Sequence, residues 1–166
     1  MAAERLTHQF APVYDDSSRI LILGTFPSVK SRENRFFYGH PQNRFWKVTA
    51  GLTGEPVPQS IEEKKHLLLA HHIAIWDVVS QCDIEGSSDS SIRNVVPADL
   101  SAILRDSQVK AIFANGSTAA RLYDKYQKKQ TGMEIRTLPS TSPANASYSL
   151  QRLLQAWSVI REYLQE

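Results

Sequence analysis

RILILGTFPS, residues 19–28, is the stretch from which the fold can be read. Ile20, Leu21, Ile22 and Leu23 follow one another without a polar interruption. A strand with one wet face alternates apolar and polar residues, so an unbroken apolar run suits a strand covered on both faces. Gly24 and Pro27 then end it, because neither sustains a strand ladder. Three more segments have the same character: IAIWDVV (73–79), VKAIFANG (109–116) and MEIRTLP (133–139).

Helical patterns lie between these strands. NRFWKVTAGL starts behind Asn43, a good cap residue, and SIEEKKHLLLAH opens with the Ser60-x-x-Glu63 capping box. PADLSAILRD has Pro97 in its first turn, STAARLYDKYQKK ends in cations, and the final run from Ser149 has amphipathic spacing. Strand and helix alternate, which predicts an α/β chain: a three-layer α/β/α sandwich with a central four-stranded, mainly parallel sheet. With no repeat or long linker, residues 1–166 are expected to form one domain. The polar stretch 81–97 is expected to be an irregular loop, of the kind that more often serves function than connection.

Composition narrows the function classes. An apolar fraction of 42% and a charged fraction of 22% are those of an ordinary globular protein. No apolar run approaches the roughly 20 residues of a membrane span. MAAERLTHQF lacks the apolar stretch of a signal peptide, so a cytoplasmic protein is expected. Cys82 is the only cysteine, which excludes an internal disulfide and a cysteine-ligated cluster or zinc ribbon held by this chain alone. His71-His72 has no third ligand at useful spacing, and neither a metal nor an organic cofactor is expected. The net charge of +2 is compatible with a nucleic-acid partner without arguing for one. Lys30, Arg32, Arg35, Arg44 and Lys47 face only Glu33 in their neighbourhood; charge alone leaves a solvated loop and a phosphate-binding patch equally open.

Ligands of open α/β sheets bind beyond the carboxyl ends of the strands. Here those ends are GTFPS (24–28), DVVSQCD (77–83), NGSTA (115–119) and PSTSPANAS (139–147), rich in small residues, hydroxyls and amides. None matches a P-loop or a Gly-x-Gly-x-x-Gly fingerprint. FFYGHPQNRFW (36–46) adds five aromatics around the turn Gly39-His40-Pro41, where no regular element can hold them. Phe36, Phe45 and Trp46 are expected in the core.

LILGTFPS, FYGHPQNRFWKV and LPSTSPANAS together resemble the signature runs of the uracil-DNA glycosylase superfamily, in order, spacing and strand context over about 120 residues. Within it the chain looks most like the hypoxanthine-DNA (deoxyinosine) glycosylases. The third residue of Gly-x-x-Pro, a catalytic asparagine or aspartate in other branches, is Phe26 here, which cannot position water. The resemblance therefore implies Asn43, from the His-Pro-x-Asn run, as the catalytic, water-positioning residue. It implies Tyr38 as the surface on which an extruded base stacks. Gly24, Thr25 and Phe26 would border the base, with N–H groups of Thr25–Ser28 at its edge. His40 either donates to a phosphate or the leaving purine, or fixes its turn. Ser28, Ser140, Ser142, Asn145 and Ser147 are implied to contact DNA. Asn145-Ala146 stands where a bulky wedge is found in relatives, which suggests a preference for weakly paired or single-stranded sites. Asp77 and Asp89 are candidates for a purine edge or for turn stabilisation.

The expected activity is hydrolysis of the N-glycosidic bond of a deaminated base in DNA, hypoxanthine first, by a monomer, without strand cleavage. The alternatives are uracil or xanthine as the base, a non-catalytic damaged-DNA-binding module, or an unrelated enzyme of small nucleotides.

Overall fold

The computed structural model describes residues 2–164. The chain opens with β1 (Glu4–Thr7) and β2 (Ile20–Gly24), followed by α1 (Val29–Asn34), α2 (Phe45–Thr53) and α3 (Ile61–Ala70). Next come β3 (Ile73–Asp77), β4 (Val79–Ile84), β5 (Arg93–Pro97) and α4 (Ser101–Arg105). The remainder is β6 (Ala111–Asn115), α5 (Ser117–Tyr126), α6 (Lys128–Thr131), β7 (Ile135–Leu138), α7 (Leu150–Trp157) and α8 (Arg161–Leu164).

The central sheet has the order β3-β2-β6-β7, and every neighbouring pair is parallel. This is the expected four-stranded sheet between helical layers. Ile20 to Leu23 are fully buried because apolar layers cover both faces. Ile20, Ile22, Ile73, Ile75 and Phe113 pack towards Phe45, Leu68 and Trp157 on one side. Leu21, Leu23, Ala74, Ile112 and Ala114 pack towards Val79, Ile103 and Tyr123 on the other. The two-residue period of a strand divides the apolar run between the two cores.

The structure adds β1 and α1, which were not expected from the sequence, and departs from that expectation most after β3. Residues 73–79 are not one strand, and 81–97 is not an irregular loop. The Val78 N–H donates to the Gly24 carbonyl (2.8 Å) as the last bond of the parallel ladder, and the Val79 N–H then donates to the Thr25 carbonyl (3.0 Å), out of the ladder's every-other-residue pattern, where the chain leaves the parallel sheet. It continues as β4 in a second, antiparallel sheet of order β1-β4-β5. Register shifts occur between Val79 and Gln81 and between Gln81 and Asp83. Such irregularities blur the apolar–polar alternation that marks a strand in sequence. A single 3-10 turn, Asp89–Ser91, joins β4 to β5. Among the described residues no helix is long and apolar enough to cross a membrane.

Candidate active site

Parallel register aligns the strand ends. Gly24 of β2 pairs with Asp77 of β3, and Leu23 pairs with Ala114, the residue before Asn115 of β6. Gly24, Asp77 and Asn115 therefore lie side by side along the carboxyl edge of the sheet. A Cβ on Gly24 would sit 2.5 Å from Asp77 Oδ1 and 3.0 Å from the Tyr38 hydroxyl. Only glycine lets those two groups approach the strand end.

Tyr38 reaches this edge from the turn after α1. Its φ of 51° is in the left-handed region, which a residue with a Cβ adopts only when its surroundings hold it there. Two bonds do so: the Gly39 N–H donates to Ser31 Oγ (2.9 Å), and Trp46 Nε1 donates to the Tyr38 carbonyl (3.2 Å). One face of the ring stacks on Phe45, with centroids 4.1 Å apart and planes at 19°. Phe45 is itself braced edge-on by Trp157 at 6.0 Å. The Tyr38 hydroxyl is buried and meets no partner in hydrogen-bonding geometry. Burial and the Asp77 carboxylate push its pKa up, and the nearby Asn115 amide opposes this only in part.

Phe36, Phe45 and Trp46 are core residues, as expected from the sequence. Phe26 is also buried, packed in the cluster of Leu23, Val78 and Ile84 with its ring 6.0 Å from that of His8. The N–H groups of Thr25 and Phe26 make no hydrogen bond within the described residues.

Asn43 lies just before α2, half-buried. Its Oδ1 accepts from the Phe45 N–H (2.9 Å) and from the Thr141 hydroxyl (2.8 Å). Thr141, fully buried in the loop after β7, is gripped in turn by Asn115. The Thr141 N–H donates to Asn115 Oδ1 (3.0 Å), and Asn115 Nδ2 donates to Thr141 Oγ1 (3.0 Å). One chain of hydrogen bonds thus runs from the strand edge to the amide singled out in the sequence.

Asp77 is buried, and its Oδ2 meets His8 Nε2 at 2.8 Å. His8 follows β1 and leans on Trp76 (4.3 Å) and Phe10 (4.5 Å), so the N-terminal arm closes this end of the site. Asp89 comes from the 3-10 turn. The residue is exposed, but its carboxyl is crowded beside Thr25 and Asp77. Burial raises its pKa to about 6; a hydrogen bond with Thr25 opposes the rise and Asp77 adds to it.

The remaining sequence candidates build the loops around this edge. Ser28 caps α1, its Oγ accepting from the Ser31 N–H (3.2 Å). His40 Nδ1 accepts from the Gln42 N–H (3.0 Å), which fixes the turn and leaves Nε2 as the donor. Ser140 Oγ accepts from the Ser142 N–H, Ser142 Oγ from the Ala144 N–H, and Asn145 Nδ2 donates to the Ser140 carbonyl. Ser147 is exposed. Two of the clustered cations also serve as clips. Arg44 donates to the carbonyls of Tyr148, Ser142 and Asn145, and Arg32 to those of Pro27 and Gly86. Among the described residues no group of three or more His, Cys, Asp or Glu side chains is placed to hold a metal ion.

Thr141, His8 and the structural use of Asn115 did not stand out in the sequence. Asn115 had one available signal, its place at a strand end. His8 had none, being distant in sequence from its partner.

These features define a class: an α/β/α protein that carries a braced aromatic ring, a fixed carboxamide and unpaired backbone donors about the carboxyl edge of its parallel sheet. The family model described as Uracil DNA glycosylase superfamily matches residues 11–165. A hypoxanthine DNA glycosylase of Methanosarcina acetivorans is 35% identical over 156 residues, covering 92% of this chain and 96% of that protein. One from Methanosarcina barkeri is 33% identical over 153 residues, covering 90% and 94%. The solution NMR structure of a candidate uracil DNA glycosylase from M. acetivorans superposes with a TM-score of 0.80 at 32% identity, covering 94% and 97%. The chain belongs to the uracil DNA glycosylase superfamily.

Proposed function

We propose that this protein is a monofunctional DNA glycosylase that hydrolyses the N-glycosidic bond of deoxyinosine, releasing hypoxanthine and leaving an abasic site. The observation that carries the reading is the fixed amide of Asn43, tied through Thr141 to the strand edge, in a chain whose third Gly-x-x-Pro residue is the buried Phe26. Two relatives named as hypoxanthine DNA glycosylases, each matched over nine-tenths of this chain, support the choice of base.

A base inside a duplex is out of reach, so it is extruded and held against a flat surface. Tyr38 supplies that surface, and its stacking on a base contributes on the order of 1–3 kcal/mol. Hypoxanthine presents O6 as an acceptor, to which the unpaired N–H groups of Thr25 and Phe26 can donate. Asn43 holds a water near C1′ of the sugar. The C1′–N9 bond breaks with its electron pair leaving on the purine, which takes up a proton. The water oxygen bonds to C1′ and releases its proton to solvent. An amide is no general base, so orientation and electrostatic stabilisation of the oxocarbenium-like sugar carry the rate. Ser28, His40, Ser140, Ser142, Asn145 and Ser147 border the DNA backbone.

Labelled duplexes carrying one inosine, uracil or xanthine, incubated with the protein and then treated with hot alkali, test the proposal. Breakage at inosine is the expected result. Breakage at uracil alone would reassign the base, and binding without breakage at any of the three would leave a damage-binding module.

A further inference from the structure

We infer that Thr141 is a positioning residue, oriented by Asn115, that locks the Asn43 amide with its oxygen saturated and its NH2 as the group offered to substrate. This rests on the proposed glycosylase reaction and specifies which half of the amide acts in it.

Two main-chain donors fix every assignment in the chain of bonds. A backbone N–H can only donate. The Thr141 N–H faces Asn115 Oδ1 at 3.0 Å, so that atom is the oxygen and the neighbouring Nδ2 is the donor to Thr141 Oγ1. With its oxygen accepting from Nδ2, the Thr141 hydroxyl directs its single proton to Asn43 Oδ1 at 2.8 Å. The Phe45 N–H, 2.9 Å from the same Oδ1, independently identifies that atom as oxygen. Both acceptor sites of the Asn43 carbonyl are then filled, and Nδ2, with two protons, is the unpartnered end of a half-buried side chain. Asn43 therefore holds its water, or an acceptor of the purine, by donation. It takes no proton from the nucleophile. Thr141 is fully buried and Asn115 is 9% exposed, so solvent does not compete for these bonds.

Single-turnover cleavage of an inosine duplex, with DNA affinity measured separately, reads the effect. T141V should slow base release about 10- to 30-fold, the effect of losing one orienting hydrogen bond, with affinity unchanged. T141S, which keeps the hydroxyl, should recover most of the rate. Should T141V fail to fold, N115D in alkaline buffer makes the same test. Its second oxygen accepts instead of donating and draws the Thr141 proton away from Asn43, so release should slow likewise. N43D replaces the offered NH2 with an acceptor and should be as slow as Asn43→Ala. Full activity in N43D, or wild-type rates in both T141V and N115D, would overturn the inference. The side-chain NH2 resonances of 15N-labelled Asn43 report on the lock without any turnover. They should move in T141V and return in T141S, and unmoved signals would overturn the inference even if inosine proved not to be a substrate.

Discussion

At Asn43 a helix start and a proposed catalytic group share one side chain, because the oxygen that accepts the Phe45 N–H belongs to the amide proposed to serve the reaction. The cap position of α2 is Arg44, so Asn43→Ala should cost on the order of 1–3 kcal/mol of stability through the acceptor lost to the Phe45 N–H and to the buried Thr141 hydroxyl. It should also cut base release by about 100-fold or more. Thermal melting and alkali cleavage measure the two separately, and DNA affinity should hardly change. Tyr38 presents the opposite case, a ring proposed to stack on the base with a hydroxyl that is buried and unpartnered. Tyr38→Phe should preserve stacking and raise the melting temperature by about 2–4 °C, since an unsatisfied buried polar group is removed. Tyr38→Ala should slow turnover, and unchanged kinetics would reduce the ring to a packing element. Asp89 makes a prediction about pH. Its carboxyl is raised from 3.8 to about 6, so the folded protein binds that proton more tightly than the unfolded chain does. Its contribution to stability is therefore present at low pH and lost as pH rises through that interval. Asp89→Asn should flatten this part of a pH–stability curve, with the effect reduced by solvent screening because the residue is exposed.

Among the elements, the loop between β7 and α7 is held from outside as much as from within. Arg44, at the start of α2, donates to three of its backbone carbonyls, an arrangement that suits a planar guanidinium and not a single ammonium. Arg44→Lys should loosen residues 139–148, seen as faster amide exchange confined to that segment, and weaken DNA binding through the loop. Read from the sequence, Arg44 belonged to a basic cluster; its commitment to carbonyls about a hundred residues away was not legible there. The helices were legible because their signals are local, as with Ser60 capping α3 and Ser149 capping α7. The antiparallel sheet was not. Bulged pairing in β4 and the exposed residues of β5 leave no clean alternation, and the chain leaves the parallel sheet where Val79 bonds to the Thr25 carbonyl, some fifty residues earlier.

Over the whole molecule, charge and shape favour different surfaces. The cleft of about 480 Å³ beside the start of α3 is lined by Glu55, Glu62 and Glu63, whose charge repels a phosphate backbone, and it does not border the strand ends. Lys30, Arg32, Arg35 and Lys47 flank Tyr38 and Asn43 in the sequence, so affinity for DNA should fall steeply as salt rises, measured by anisotropy at graded ionic strength. Salt-independent binding would favour a small-nucleotide ligand instead. The sequence by itself determined the parallel sheet and its helical layers, because unbroken apolar runs and cap residues act over a few neighbouring positions. It also determined the motifs that mark the family. Only the tertiary structure decided which groups come together: Tyr38 and Asp77 both beside Gly24, without a bond between them, His8 bonded to Asp77, and Asn43 linked to Asn115 through Thr141. Hydrogen bonds depend on distances of about 3 Å and on which atom must donate. Separation along a chain encodes neither.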